Sequence, residues 1–319
     1  MGRDVRLPAS KEIPIARRTA VVPAGCEEST PRCKRNRYSG INLLIDELIP
    51  AKADWAVTPR QVSIALTNAC DLDCNYCYAP KTHAALDFNE LTAWLMELDI
   101  NGTIGVGFGG GEPTLYPRFT DLCAYAANNT RLAVTLTTHG HHLHEAFLAE
   151  LKGNVHFIRV SMDGVGATYE RLRRRQFEAI QKRLDAIKKI VPFGINYVVN
   201  ADTLPDIDIA INVAERSGAS EFLLLPEQPA KGRIGIDTKT AGALRAWVRS
   251  YKGSLRLTVS ESGADGMPTC NPFPHDTPLQ AYAHVDARGV LKRTSFHKEG
   301  ITIGSGGLLC ALHQLERLT

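Results

Sequence analysis

Residues 62–81, VSIALTNACDLDCNYCYAPK, join an apolar run to a short loop that carries three cysteines. The run VSIAL (62–66) predicts a buried strand. Cys70, Cys74 and Cys77 follow it with C-x3-C-x2-C spacing. Three thiolates on one loop can ligate three irons of a [4Fe–4S] cluster, which leaves the fourth iron open to a bound molecule's amino and carboxylate groups. We therefore predict that these cysteines ligate one cluster at the end of a strand.

A second motif favours this interpretation over a zinc site or a chance group of core cysteines. Zinc sites usually have four protein ligands with paired C-x2–4-C spacing, and no second pair lies at a suitable distance in the sequence. The stretch GFGGGEPTLYP (107–117) follows the second predicted strand. Its consecutive glycines let a ligand approach the backbone, Glu112 adds an acceptor, and Pro113 fixes the turn.

Apolar runs alternate with helical stretches between residues 61 and 228. The runs are near-continuously apolar, as expected for strands covered on both faces, and roughly 25–40 residues separate them. Six such units predict an α/β fold, a partial (β/α)6 barrel, with ligands at the C-terminal ends of the strands. The predicted strands are 62–66, 104–108, 132–136, 157–162, 194–199 and 221–225, and the predicted helices are 88–99, 117–128, 143–151, 168–190 and 205–217.

The two ends of the chain have a weaker pattern. Residues 1–60 predict an extended N-terminal segment with one short helix at 41–49. Residues 229–319 predict a small α+β C-terminal extension, with a helix at 239–251, a strand at 255–260 and a hairpin at 281–293. We therefore expect three parts, 1–60, 61–228 and 229–319, the middle one being the barrel.

The two motifs together resemble the radical S-adenosylmethionine superfamily. Its hallmark is the spacing of Cys70, Cys74 and Cys77 with an aromatic residue, here Tyr76, before the last cysteine, and a Gly-Gly-Glu-Pro element, here 110–113. The resemblance covers the predicted barrel and implies one [4Fe–4S] cluster per chain and S-adenosylmethionine. It implies reductive cleavage of S-adenosylmethionine to a 5′-deoxyadenosyl radical, which abstracts a hydrogen atom from a substrate.

The resemblance also implies which residues contact S-adenosylmethionine. Tyr76 is expected near the adenine, and the backbone of 110–112 at the methionine amino group. One arginine of the 171–175 run, most plausibly Arg173, is expected at the methionine carboxylate. The full set of implied cofactor contacts is Tyr76, Gly110, Gly111, Glu112, Pro113, Ser161, Asp163, Arg173, Asn196 and Leu224.

The later members of that set, and the open case of His139, come from separate parts of the sequence. VSMDG (160–164) is similar to a strand end of peptide-modifying relatives, and it supplies Ser161 and Asp163. Asn196 and Leu224 are the weaker candidates, for ribose and adenine contacts. In TLTTHG (135–140), His139 stands where relatives often have an asparagine, so its role is left open.

The C-terminal extension is similar to the SPASM or twitch extensions of peptide- and metabolite-modifying relatives. Those extensions usually hold auxiliary clusters, with a cysteine five residues after a glycine. Here Gly289 is present, but Thr294 occupies the cysteine position. We therefore expect a degenerate extension without auxiliary clusters.

The remaining cysteines keep more than one interpretation. Cys270 and Cys310 are either small buried hydrophobic residues or thiols that return a hydrogen atom to a substrate radical, as in peptide epimerases of the superfamily. Cys26 and Cys33 have C-x6-C spacing and no assigned role. Cys123 is interpreted as core.

Composition excludes some classes of protein. The net charge is +3 and no apolar run reaches the roughly 18 residues that span a bilayer, so neither a membrane nor a nucleic-acid partner is indicated. The first twenty residues are basic and lack the apolar core of a secretory signal. We expect a cytoplasmic enzyme with reduced thiols and an electron donor such as flavodoxin or ferredoxin.

Two charged clusters have open interpretations. The arginines at 171 and 173–175 are either a solvated helix face or an anion site. The histidines of HGHH (139–142) are either polar groups near the substrate or metal ligands.

Three functions remain open at this point. The leading one is a radical enzyme acting on a peptide or small metabolite in natural-product or cofactor biosynthesis. The second is a viperin-like nucleotide-modifying enzyme, with Lys231, Arg233, Lys292 and Arg293 as sources of charge for a triphosphate. The third is a non-catalytic iron–sulfur protein, against which the intact Glu112 and its glycines argue.

Overall fold

The computed structural model describes residues 57–230, 232–269 and 276–318, together with three short strands nearer the N-terminus. The chain divides into two compact units, Met1–Trp55 and Ala56–Thr319. In the first unit, three strands form an antiparallel sheet: β1 (Ala16–Arg17), β2 (Arg32–Arg35) and β3 (Asn42–Ile45). The helix predicted at 41–49 is therefore wrong over β3, because its Leu-Leu-Ile run pairs with β2 instead of forming a helical turn.

The second unit is built on a ten-stranded sheet. Its six central strands lie side by side in chain order and all run parallel. This confirms the predicted α/β architecture of a partial (β/α)6 barrel. The six strands are β4 (Gln61–Thr67), β5 (Gly105–Gly110), β6 (Ala133–Thr138), β7 (Phe157–Ser161), β8 (Phe193–Val199) and β9 (Glu221–Pro226).

Strands from the segment 229–319 extend this sheet at both edges. At one edge, β10 (Arg256–Val259) pairs in parallel with β9. At the other edge, β11 (Tyr282–Val285) pairs in parallel with β4, and β12 (Val290–Lys292) and β13 (Ile301–Thr302) follow antiparallel. The segment after the barrel thus adds strands to both edges of the barrel sheet.

Nine helices are found in the described part of the chain. They are α1 (Phe88–Ile100), α2 (Phe119–Asn129), α3 (Glu145–Leu151), α4 (Gly166–Arg173), α5 (Phe177–Ile187), α6 (Ile207–Arg216), α7 (Thr238–Ser250), α8 (Pro278–Ala281) and α9 (Gly307–Glu316). The single helix predicted over 168–190 is wrong, because Arg174 adopts a left-handed conformation (φ 53°) and separates α4 from α5. No helix within the described residues is long and apolar enough to cross a membrane.

The two faces of the sheet carry different side chains. On the outer face, Val62, Ile64 and Phe108 are at most 1% exposed and belong to the same core as the buried helix residues. On the inner face, polar or small residues such as Ser63, Thr135 and Ser161 are half-buried. Side chains alternate between the two faces along a strand. Apolar residues on the outer face, interrupted mainly by small residues on the inner face, therefore give the near-continuous apolar runs seen in the sequence.

An ion pair crosses the inner face of β8. Arg159 on β7 reaches Glu221 on β9, and both residues are in register with Gly194 on β8 between them. A Cβ at Gly194 would lie 2.6 Å from Cγ of Glu221, so glycine leaves the space that this pair needs. Arg159 also lies over the ring of Phe157, 5.4 Å from its centroid.

Candidate functional site

The three motif cysteines lie together in the loop after β4, here called the cysteine loop (68–81). Cys74 is buried, and Cys70 and Cys77 are half-buried. The three contact one small apolar cluster that is separate from the main core and consists of Leu72, Tyr76, Leu172 and Val198. The backbone N–H of Cys77 donates to the carbonyl of Cys74 (3.2 Å), which gives the last four residues of the motif a tight turn.

Burial changes the acidity of the first cysteine. It raises the pKa of the Cys70 thiol, and the charges of Glu112 and Cys77 act in the same direction. The hydrogen bond from Leu72 N–H and the charge of Lys81 oppose this increase. A cation at the loop is therefore needed to keep this sulfur as thiolate at neutral pH, as a metal ion does for its thiol ligands.

A glycine strap (110–113) crosses the base of the cysteine loop. The N–H of Gly111 donates to Thr67 O (2.7 Å), and the N–H of Glu112 donates to Ala69 O (2.8 Å). A Cβ at Gly111 would lie 2.6 Å from Asn68 O, and one at Gly110 would collide with Thr67 O. Gly110 also has a positive φ of 122°. The strap thus requires glycine both for conformation and for close contact with the loop.

Glu112 fixes the strap to the end of β6. Its side chain is fully buried and accepts hydrogen bonds from Thr114 Oγ1 (2.7 Å), Thr138 Oγ1 (2.7 Å) and the N–H of His139 (2.9 Å). A buried carboxylate is stable only when such donors surround it. The Glu112 side chain is therefore a structural tie, and only its backbone is available to the role expected for a cofactor contact.

Asp71, inside the cysteine motif, ties the loop to the histidines after β6. His139 Nε2 lies 2.8 Å from Asp71 Oδ1 and 3.2 Å from Glu112 Oε2. The N–H of His141 donates to His139 Nδ1 (3.1 Å), so Nδ1 carries no proton and Nε2 donates to Asp71. Burial opposes ionisation of Asp71, but the hydrogen bond from His139 lowers its pKa to about 2.

The other two histidines of the motif have different environments. His142 Nδ1 lies 2.7 Å from Thr114 Oγ1, and His142 Nε2 lies 3.3 Å from Asp71 Oδ2. His141 Nε2 lies 2.9 Å from the Tyr169 hydroxyl, and burial lowers the pKa of His141 to about 4, with the charge of Arg175 adding to the effect. His139, His142 and Glu112 lie close enough to share a metal ion, but their ring and carboxylate atoms are already paired with protein groups.

A second buried pair joins the cysteine loop to β7 and α4. Arg173 forms an ion pair with Asp163, which also accepts a hydrogen bond from the Tyr76 hydroxyl (2.7 Å). The other Asp163 oxygen accepts from the N–H of Val198 (2.7 Å). Burial raises the pKa of Tyr76, and the Asp163 carboxylate raises it further, so its proton stays on the oxygen. The structure thus brings together three of the residues expected to contact S-adenosylmethionine.

Buried polar atoms without a partner mark where a ligand fits. Two of the described buried side-chain atoms without a hydrogen bond are Arg173 Nε and Asn196 Oδ1. Ser161, which is half-buried, is the register partner of Asn196 on the inner face. Buried polar groups are nearly always hydrogen-bonded, so a donor that also accepts, such as a ribose hydroxyl, suits these atoms. Together with three thiols on one loop, they fit an iron–sulfur cluster and S-adenosylmethionine.

Other predicted residues lie elsewhere. Leu224 is 1% exposed and in register with Tyr197, so it belongs to the outer face; Leu223 and Leu225 share the inner face with Asn196. Cys310 is exposed on α9, whose buried side packs in the main core with α1. Cys270 and Cys26 lie outside the described residues, and Cys33 lies in β2 of the first unit.

Three residues of the site were not predicted from the sequence. Asp71 was assigned no role, Arg175 was named only within the arginine run with two open interpretations, and the role of His139 was left open. Asp71 sits between two predicted ligands, so its place on the loop was visible in the sequence. Its partners were not, because His139 and Arg175 are 68 and 104 residues away along the chain.

Comparison with known proteins adds family information to this geometry. Residues 64–210 match the family model of the Radical SAM superfamily. The chain is 25% identical over 172 residues, 51% of its length, to the sporulation killing factor maturation protein SkfB of Bacillus subtilis (strain 168). It is 30% identical over 152 residues, 46% of its length, to a GTP 3′,8-cyclase of Chlorobaculum tepidum. Each match covers 42% of the relative, so the chain spans well under two thirds of both.

The fold is also similar to a solved structure. SuiB of Streptococcus suis, crystallised with the precursor peptide SuiA, matches with a TM-score of 0.67 at 15% identity. The match covers 80% of this chain and 65% of SuiB. At this identity the likeness concerns the fold, and it extends beyond the six central strands.

Proposed function

Because residues 64–210 match the family model of the Radical SAM superfamily, we propose that the chain is an enzyme that reductively cleaves S-adenosylmethionine and abstracts a hydrogen atom from a peptide or small-metabolite substrate. The observation that carries the proposal is the joint arrangement of two motifs. The cysteine loop and the glycine strap are hydrogen-bonded to each other at the C-terminal end of β4, where ligands of such barrels bind.

Cys70, Cys74 and Cys77 would hold one [4Fe–4S] cluster per chain, and S-adenosylmethionine would bind beside it. The chemistry that this pair supplies when bound is one-electron cleavage of the sulfonium, which gives methionine and a 5′-deoxyadenosyl radical. The electron comes from a protein donor such as flavodoxin or ferredoxin. The family as a whole uses these two cofactors.

The chain's own residues would bind and orient the methionine part. The N–H groups of Gly111 and Glu112 are already used by Thr67 and Ala69, so the strap offers carbonyl oxygens, which suit a protonated amino group. Arg173 keeps a free buried Nε after pairing with Asp163, and a carboxylate would satisfy it. Pro113 fixes the turn that holds the strap in place.

Other residues would orient the nucleoside part. Tyr76, held by Asp163, presents its ring at the cysteine loop, where an adenine can pack. Asn196 Oδ1 and Ser161 offer polar atoms for the ribose hydroxyls, and Leu223 or Leu225 on the same face are better placed than Leu224 for apolar contact. The inner face of the sheet would then enclose the substrate and exclude solvent.

A peptide or small-metabolite substrate is supported by the names of the relatives. SkfB is described as a maturation protein for a killing factor, and SuiB was solved with a precursor peptide. We propose natural-product or cofactor biosynthesis as the setting and the cytoplasm as the location. We also propose that the chain has three parts, an N-terminal segment (1–60), a barrel (61–228) and a C-terminal extension (229–319), and that the extension has no auxiliary clusters.

Nucleotide modification is the second candidate, favoured by the 30% identity to a GTP 3′,8-cyclase. A triphosphate needs unpaired cations, and three of the four residues expected to supply them are engaged. Arg233 pairs with Glu227, Lys292 pairs with Asp286 (2.7 Å), and Arg293 donates to Leu315 O (3.1 Å). Lys231 lies outside the described residues. These pairings favour the peptide or small-metabolite substrate.

The test is anaerobic reconstitution of the wild-type chain and of Cys74→Ala, with Cys123→Ala as control. Cys123 is fully buried in the main core, away from the cysteine loop. Wild type and Cys123→Ala should bind about four irons and, after reduction, release 5′-deoxyadenosine; Cys74→Ala should do neither. Cleavage that survives in Cys74→Ala overturns the proposal. Iron near eight per chain would overturn the single-cluster assignment, and stimulation by GTP but not by peptides would favour the second candidate.

A further inference from the structure

Arg174 is the only non-glycine residue with a positive φ in the described part of the chain (φ 53°, ψ 36°). An L-residue avoids this conformation because its Cβ crowds the following carbonyl oxygen. Such a conformation persists where the surroundings require it, often at functional sites. The break between α4 and α5 is therefore a feature to be explained.

Glu170 stabilises the break from both sides. Its carbonyl accepts the N–H of Arg174 (2.8 Å), which ends α4, and its carboxylate accepts the N–H of Phe177 (3.2 Å), which begins α5. One residue thus terminates the first helix and caps the second. The chain between them is short, and its direction is fixed.

The break directs Arg173 and Arg175 toward the cysteine loop, where Arg173 acts through Asp163 and Arg175 acts directly. Arg173 reaches Asp163, which holds the Tyr76 hydroxyl. Arg175 Nη2 donates both to the carbonyl of Asp71 and to its Oδ2, each at 3.2 Å. Arg173 and Arg175 are two positions apart, so a continuous helix would point their side chains about 200° apart around its axis and would not bring both to the same loop.

Asp71 is contacted by three residues from two parts of the chain. Arg175 approaches from the α4–α5 break, and His139 and His142 approach from the loop after β6, at 2.8 and 3.3 Å. All of these partners are protein groups, so the contacts do not depend on a bound cofactor. They act on the residue directly after Cys70.

We propose that Asp71 anchors the cysteine loop and that Arg175, placed by the left-handed Arg174, is the clamp that keeps the loop ordered before any metal binds. Arg175 is a positioning residue in this proposal and touches no cofactor. The inference rests on the proposed function for its significance. Its test is independent of that function, because it is made on the iron-free chain.

The size of the effect follows from exposure. The side chains of Arg175 and Asp71 are 40% and 34% exposed, and exposed ion pairs contribute little by themselves. The second bond, to a backbone carbonyl, adds directly to the order of the loop. We therefore expect local opening of residues 69–77 to become roughly fivefold more frequent without the clamp.

The experiment is hydrogen exchange on the full-length iron-free chain, measured by mass spectrometry on peptides from 68–81. The variants are Arg175→Ala, Arg175→Lys, Arg174→Gly and, as control, Arg171→Ala. Arg171 belongs to the same run and pairs with Asp202 at 3.0 Å, away from the loop. Residue 175 is far from the loop in sequence, so its substitution leaves the intrinsic exchange rates of the loop amides unchanged.

Arg175→Ala should accelerate exchange roughly fivefold, Arg175→Lys by less, and Arg171→Ala and Arg174→Gly should leave it unchanged, because glycine keeps the left-handed turn. Equal effects of Arg175→Ala and Arg171→Ala overturn the proposal. So does an Arg174→Gly variant that loosens the loop as much as Arg175→Ala. If the exchange results are as expected but the wild-type chain does not cleave S-adenosylmethionine, with or without bound iron, the proposed function is wrong and this inference stands.

Discussion

The outer and inner faces of the ten-stranded sheet use the same strands for different purposes. Outer residues such as Val62, Phe108 and Phe222 are at most 1% exposed and pack against helices. Inner residues such as Ser161 and Asn196 are polar, and Val198 on the same face of β8 packs against the cysteine loop. The difference shows that alternation along a strand separates the residues that stabilise the fold from those available to a ligand.

The largest effect should come from truncating an outer residue. Phe222 is fully buried, and its ring centroid lies 5.1 Å from that of Tyr197. Phe222→Ala should lower the free energy of unfolding by about 3–5 kcal/mol, measured in urea. The control is Leu223→Ala on the inner face, where the side chain is half-buried, and its cost should be clearly smaller. Equal costs would break the distinction between the faces.

A methyl group added to the inner face should have a smaller effect. Gly194→Ala places a Cβ 2.6 Å from Glu221 Cγ and forces the Arg159–Glu221 pair to move, at a cost of about 1–3 kcal/mol. Gly242→Ala in α7 meets nothing within 4 Å and should instead stabilise the chain by about 0.5–1 kcal/mol. Urea unfolding of both variants gives the sign directly. If Gly194→Ala leaves the free energy of unfolding unchanged, the inner face is not packed around this pair.

The smallest effect concerns pH. His284, on the inner face of β11, faces Ser63, Asp286 and Lys292, and burial lowers its pKa to about 4. The unfolded chain binds a proton near pH 6.5 and the folded chain only near 4, so stability falls as the pH drops between these values. The loss from pH 7 to 5 should be on the order of 1–2 kcal/mol, and His284→Gln should remove that part of the slope.

The variant His141→Gln tests the same window independently, because the pKa of His141 is also lowered to about 4. Asp71 does not contribute there, since its pKa is lowered to about 2 and its stabilising ionisation is lost only below its unfolded value near pH 4. A slope in His284→Gln that equals the wild-type slope would show that His284 is solvated in solution.

Much of the outer face was predictable from the sequence. The six predicted strands of the barrel agree with the structure, and so do its helices apart from 168–190, because the outer row of each strand is apolar. The cysteine loop and the glycine strap were also located, since their spacing is local. Whether these residues hold the predicted cofactors stays a prediction.

The parts that failed depend on distant contacts. The break at Arg174 has no glycine or proline to announce it, because the left-handed turn is set by Glu170 and by the reach of Arg175 to Asp71. The strand at Asn42–Ile45 was taken for a helix because a run of three apolar residues fits either pattern. The assignment of Leu224 to the ligand side missed the register of β9 by one residue.

The distance in sequence between Asp71 and Arg175 has a consequence for biogenesis. The two residues are 104 positions apart, and a ribosome adds roughly 5–20 residues per second. For about 5–20 seconds after the cysteine loop is made, its clamp does not yet exist. During that interval the glycine strap and His139 can already contact the loop, but Arg175 cannot, and a nascent chain ending before Arg175 should react with thiol reagents faster than the completed chain.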